Sequence, residues 1–147
     1  MEIVLYQPEI AGNVGAIIRL AANSGVSLNL IKPFGFELQE NKIRRAGLDY
    51  HDLSNTKTYN SWEEFIETNI NKSICCLSSK GTDSYWDTNL NQYDFLLFGP
   101  ESIGLPDKIL SSYKTITIPM KENSRSINLA NSVGIVVFES LRQASVQ

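Results

Sequence analysis

The sequence predicts an α/β fold: a mostly parallel sheet flanked by helices on both faces, with residues 1–147 forming one domain. Two observations predict it. Short apolar runs alternate along the chain with segments of helical periodicity. The polar, glycine-containing loops follow apolar runs, and ligands of such sheets bind just beyond the carboxyl ends of the strands. A chain of 147 residues is long enough to bury a sizeable core.

The elements follow in order. Glu2 to Tyr6 reads as the first strand. Val14, Ile17, Ile18 and Ala21 then recur at helical spacing, with Asn13 placed as a cap and Gly25 as a stop. Ser27 to Ile31 is the second strand, ended by Pro33, and Leu38 to Ala46 is expected to form a short helix before Gly47. Ser61 followed by Glu64 is a capping-box pattern that opens the next helix. Ser73 to Leu77 and Phe95 to Phe98 read as strands. Leu105 to Ser112 reads as a short helix that tolerates Pro106 in its first turn. Thr115 to Ile118, rich in β-branched residues, is the last strand.

The final helix is the clearest element. Leu129, Val133, Val136, Val137 and Leu141 form one apolar stripe. Ala130 and Gly134 set small side chains four residues apart, which admits a second helix at close range. That helix can belong to the same chain or to another subunit.

Composition narrows the function classes. A content of 42% hydrophobic and 20% charged residues is ordinary for a globular protein. No apolar stretch approaches the roughly 18 residues of a membrane span, and the start lacks a basic leader segment, so a cytoplasmic location is expected. Cys75 and Cys76 are adjacent, and on a strand they point to opposite faces. They are expected to be buried free thiols. With His51 the only histidine, no metal-ligand cluster of the usual spacing exists and no metal is expected. The net charge of −3 argues mildly against nucleic acid, although Lys42, Arg44 and Arg45 are concentrated and Lys80, Lys121 and Arg125 fall in loops.

Several chemistries fail on spacing. Gly12 and Gly15 lack the third glycine of a dinucleotide fingerprint. Gly99 to Gly104 has the spacing of a phosphate-binding loop, yet Leu105 and Pro106 stand where Lys and Ser or Thr are needed. No Gly-x-Ser-x-Gly elbow surrounds any serine, so a hydrolytic triad is not supported.

Three segments remain: Gly12-Asn13-x-Gly15-x-x-x-Arg19, Phe98-Gly99-Pro100-Glu101-x-x-Gly104-Leu105-Pro106, and Ile118-Pro119-Met120 with Ser124-Arg125-Ser126-x-Asn128-Leu129. In this order they resemble the three motifs of the SPOUT-class RNA 2′-O-methyltransferases. Arg44-Arg45-Ala46-Gly47-Leu48-Asp49-Tyr50 and Lys80-Gly81-Thr82 narrow the resemblance to the small members that act on the wobble cytidine or uridine of leucine tRNAs. It covers nearly the whole chain.

The resemblance implies a C-terminal deep trefoil knot, S-adenosylmethionine as cofactor, tRNA as partner, and a homodimer whose sites combine residues of both subunits. It assigns Leu77, Gly99, Pro100, Ile118, Met120, Ser126 and Leu129 to cofactor binding. Arg19 becomes the catalytic residue. Asn13, Glu101 and Asn128 shape the site or touch RNA, and Lys42, Arg44, Arg45, Lys80 and Arg125 grip RNA. A larger side chain at Gly99 is expected to fill the cofactor pocket. Phe138 departs from the pattern, standing where close relatives can carry tyrosine. Two other readings are weighed: a ribosomal RNA 2′-O-methyltransferase of the same superfamily, and a non-catalytic RNA-binding protein that retains the fold.

Overall fold

The computed structural model describes residues 1–37 and 53–146. The helix expected over Leu38 to Ala46, and with it Lys42, Arg44, Arg45 and His51, lies outside the described residues. Among those described, the strands are β1 (Glu2–Tyr6), β2 (Leu28–Ile31), β3 (Thr56–Tyr59), β4 (Ile74–Leu77), β5 (Asp83–Ser84), β6 (Phe95–Phe98) and β7 (Lys114–Thr117). The α-helices are α1 (Ala11–Ser24), α2 (Trp62–Thr68), α3 (Asp107–Ser112) and α4 (Leu129–Ser145). The strands form a single sheet in the order β3-β2-β1-β6-β4-β7-β5. Every pairing is parallel, with Val4 opposite Leu97 and Cys76 opposite both Leu97 and Thr115.

Alternation along the strands divides the core in two. Ile3, Leu5, Leu28, Leu30, Cys75, Leu96, Phe98 and Ile116 face the stripe of α1 and the Leu129, Val133, Val136 and Val137 stripe of α4. Val4, Ile31, Cys76, Phe95 and Leu97 face Phe65 of α2 and Ile109 of α3. The two cysteines thus belong to opposite layers, and burial pushes both thiols up to about 12, which keeps them protonated at neutral pH. Each fully buried aliphatic side chain contributes about 2 kcal/mol of transfer free energy.

Most elements agree with the sequence reading to within a residue or two, and the differences have local causes. Gly25 ends α1 at φ 72°, a left-handed turn that glycine adopts without strain. Asn13, however, is not the cap. It lies inside the first turn of α1, while Ile10 holds the cap position with no side-chain bond. At α2 the cap is as expected: Ser61 Oγ accepts from Glu64 N at 3.1 Å, though the Glu64 carboxylate reaches Asn60 N instead of the cap amide. Pro106 precedes the first turn of α3, and β7 begins at Lys114 instead of Thr115. Leu141 is 36% exposed, and the core position on the last turns belongs to Ser140, whose hydroxyl bonds Asn91 Oδ1 at 2.8 Å.

Gly134 lies against α1: a β-carbon there would sit 3.4 Å from Leu20 Cδ1. The small-residue face of α4 is therefore an internal helix contact. On the outer side of α4, Ile135, Phe138 and Leu141 remain exposed.

Two strands were not read from the sequence. β3 is an edge strand of Thr-Lys-Thr-Tyr whose middle two residues are exposed, and β5 has only two residues. The second matters to the architecture. β4 and β5 are consecutive in the chain but lie on either side of β7. The link 78–82 must therefore cross β7 at the level of Ile116, which pairs with both Leu77 and Asp83. Ser78 N donates to Ile116 O at 3.0 Å, and a β-carbon on Gly81 would lie 2.5 Å from the Ile116 carbonyl carbon. The continuation of the same link is tied to α4, since Leu90 N donates to Gln143 Oε1 and Gln143 Nε2 donates to Thr88 O.

Gly81→Ala is expected to force backbone against backbone at this crossing. The cost is about 2 kcal/mol, read as a lower urea midpoint with little change in slope. An unchanged midpoint would show that the crossing is loose.

Candidate functional site

A cavity of about 360 Å³ opens at the carboxyl ends of β4, β6 and β7. It lies beside β1, where the strand order reverses, which is the usual ligand position in an open α/β sheet. Four segments build it: Ile10 and Asn13 at the start of α1, Leu77 to Ser79 after β4, the loop after β6 from Phe98, and the chain after β7 as far as Ser132. Leu77, Gly99, Pro100, Ile118, Met120, Ser126 and Leu129 all line it, as do Asn13, Glu101 and Asn128. Arg19, Lys80 and Arg125 are exposed and lie outside the lining.

The loop after β6 is held by its own backbone. Gly104 adopts φ 70°, and its N–H donates to Pro100 O at 3.0 Å. A β-carbon at Gly99 would lie 2.5 Å from Leu105 N and 2.6 Å from Gly104 C. The expectation that a side chain at Gly99 simply fills the pocket therefore needs correction. Its first carbon collides with the opposite limb of the loop, so the wall itself would have to move.

Glu101 joins this loop to α1. Its carboxylate accepts from Glu9 N at 2.8 Å, Ile10 N at 3.1 Å and Asn13 Nδ2 at 3.1 Å. A carboxylate from 88 residues away in sequence thus does the work expected of Asn13, satisfying amides at the entrance of α1 and favoured by the helix dipole. Asn13, freed from capping, turns its Oδ1 to Asn128 Nδ2 at 2.9 Å. Asn128 Oδ1 in turn caps α4 by accepting from Asn131 N at 3.2 Å. Three segments distant in sequence are therefore linked by one chain of bonds, Glu101 to Asn13 to Asn128.

The link is doubled by Glu9, which the sequence reading did not single out. Its carboxylate accepts from Ser102 N and Ser102 Oγ, both at 2.7 Å, and these bonds hold the carboxyl below the usual glutamate range. A Gln-Pro-Glu sequence after a strand carries no signal of this contact, because its partner lies 93 residues later. At the rim, Lys80 pairs with Asp107 at 2.7 Å, an exposed contact that solvent weakens. Among the described residues no group of three metal-ligating side chains occurs.

Elements and lining together define a parallel α/β protein with a ligand cavity at the carboxyl ends of its strands, and comparison with known proteins shows its family. The pattern of the SpoU rRNA Methylase family matches residues 1–138, and the chain belongs to that family. It is similar, at 44% identity, to a tRNA (cytidine(34)-2'-O)-methyltransferase of Saccharophagus degradans, over 96% of this chain and 94% of that protein. A protein of the same name from Escherichia coli K12 is 42% identical over 97% of this chain and 93% of its own length. A solved structure described as "Structural insights into the 2-OH methylation of C/U34 on tRNA" superposes with a TM-score of 0.89 at 41% identity, covering 98% of this chain and 90% of the other.

Glu101→Ala would strand the Glu9 and Ile10 amides and Asn13 Nδ2. A loss of about 2 kcal/mol in unfolding free energy is expected, with Glu101→Gln losing less because it keeps one acceptor oxygen. Equal stability of all three proteins would show that water replaces the carboxylate at no cost.

Proposed function

We propose that this protein transfers the methyl group of S-adenosylmethionine to the ribose 2′-hydroxyl of the wobble cytidine or uridine of tRNA, with leucine tRNAs as the expected substrates. The observation that carries the reading is the convergence of all three motif segments on one cavity, in a chain above 40% identical to the tRNA methyltransferases over nearly its full length.

The lining suits the cofactor. A volume of about 360 Å³ falls in the range of small-molecule sites. Leu77, Leu105, Ile118 and Leu129 offer apolar walls to a nucleoside, and the backbone beyond the strand ends offers donors and acceptors to its polar edges. When bound, S-adenosylmethionine supplies an electrophilic methyl group on a sulfonium. The work of this chain is then to orient the ribose oxygen towards that methyl and to stabilise the charge that develops on it. Glu101, Asn13 and Asn128 fix the walls against one another and so hold that orientation.

Arg19 is the proposed catalytic residue. Its guanidinium is a planar cation with several N–H donors, so its contribution is stabilisation of the developing oxyanion more than removal of a proton. It lies outside the lining of its own chain's cavity. That position supports the further proposal of a homodimer in which α1 of one copy serves the cavity of the other. The exposed Ile135, Phe138 and Leu141 of α4 offer an apolar surface for the contact. The trefoil knot belongs to the same reading and is supported by the passage of the link 78–82 across β7. Lys42, Arg44, Arg45, Lys80 and Arg125 are proposed to hold tRNA phosphates. The whole chain is proposed to act as one domain, in the cytoplasm.

The direct test is transfer of a labelled methyl group to total bacterial tRNA with mapping of the product. A 2′-O-methyl group at the wobble position of leucine tRNA is expected; binding of cofactor without transfer to any RNA would overturn the reading. Arg19→Ala should lower turnover by at least about 100-fold while S-adenosylmethionine affinity, measured by calorimetry, stays within about twofold. Unaltered turnover would remove Arg19 from the mechanism.

A further inference from the structure

A second cavity opens at the same edge of the sheet, beyond the carboxyl ends of β2 and β3. Lys32, Phe34, Phe36, Glu37, Thr58 and Asn60 are among the residues that line it. The rings of Phe34 and Phe36 lie nearly parallel, with centroids 5.4 Å apart and planes 9° from each other. Both are half-buried, packed on the core beneath while remaining partly open above. In the core, Tyr59–Phe65 and Phe65–Phe95 are edge-to-face, while Trp62 stacks on Phe65. A parallel pair at the surface is the arrangement that a third flat ring extends. Lys32 Nζ donates to Asn60 Oδ1 at 3.5 Å, which sets a cation and an amide beside the rings.

One loop separates this cavity from the first. Gly35, between the two phenylalanines, donates its N–H to Pro8 O at 3.0 Å. A β-carbon on Gly35 would lie 2.8 Å from Glu9 Cα and Glu9 O, so the two backbones touch. Glu9 holds Ser102 through its carboxylate, and Ile10 lines the first cavity. The segment 8–10 is thus a common wall.

We propose that the second cavity is a nucleotide subsite: it holds an unpaired base of the RNA beside the nucleotide being methylated, stacked on Phe34 and Phe36, with Lys32 facing the backbone phosphate. The inference rests on the function proposed above. A ribose hydroxyl is presented to a buried methyl donor only if its nucleotide is splayed from its neighbours. Unstacking exposes an adjacent base, and proteins recover that loss with aromatic platforms and cations. The two cavities share the edge of the sheet and the wall that such a pair of nucleotides would straddle.

The test compares the unaltered full chain with Phe34→Leu, Phe36→Leu, Phe36→Tyr and Lys32→Ala. An anticodon hairpin RNA and S-adenosylmethionine are the probes. Leucine keeps apolar bulk on the core, so folding is retained, and each variant's melting temperature checks this. Each leucine variant, and Lys32→Ala, should raise the KM for RNA about tenfold. Their kcat at saturating RNA and their S-adenosylmethionine affinity should stay within about twofold, and Phe36→Tyr, which keeps the ring, should raise the KM less than Phe36→Leu. Unchanged KM in the leucine variants, or parallel losses of RNA and cofactor affinity, would overturn the subsite, the latter because the rings would then only support the common wall. Should the unaltered protein bind cofactor and methylate no RNA, the function falls and the subsite with it. Should it methylate with KM indifferent to both phenylalanines, the subsite alone falls.

Discussion

The passage of the link between β4 and β5 across β7 is the constraint on which the rest of the structure depends. β7 is held from both sides by strands that are neighbours in sequence, and Gly81 rests directly on the Ile116 backbone. A side chain at that point would separate the two segments. Close contact there brings Ser78 and Ser79, after β4, to the same cavity as Thr117 and Ile118, after β7. The far side of the link is bonded to α4 through Thr88, Leu90 and Gln143, so the helix that completes the cavity is anchored by the chain that crosses the strand.

On this frame the cavity is tightened by an exchange of carboxylates. Glu101 accepts amides at the entrance of α1, and Glu9 accepts the amide and hydroxyl of Ser102. Each acid satisfies backbone donors of the other's loop, and hydrogen bonds to charged groups are among the stronger ones in proteins. The bonds from Ser102 hold the Glu9 carboxyl below the usual glutamate range and so favour its anion.

The wall shared by the two cavities gives the arrangement a functional economy. Bonds that position the loop after β6 also position the Phe34–Gly35–Phe36 segment, since Glu9 touches both. The exposed pair Lys80–Asp107 sits outside this system and adds little to it.

Much of this was legible in the residues. Apolar periodicity located β1, β6, α1 and α4 because each buries a continuous stripe or run, and burial is a local property of pattern. The adjacent cysteines declared their opposite faces, and Ser61 its cap. The ten motif positions that line the cavity were read from resemblance, not from periodicity, since a glycine or asparagine in a loop carries no local sign of its partner. Local pattern missed β5, whose two residues form a strand only because β7 lies beside them, and β3, whose exposed edge bears no apolar alternation. It misassigned Asn13 as a cap and Leu141 as core. In the first case a distant carboxylate took the capping role, and in the second the chain of Asn91 covered Ser140. What the sequence by itself determined was therefore the elements and their buried faces, set by spacing along the chain. Which strand lies between which, and which side chains meet across 88 to 115 residues, only the tertiary structure decided, because those contacts depend on how the chain passes over itself.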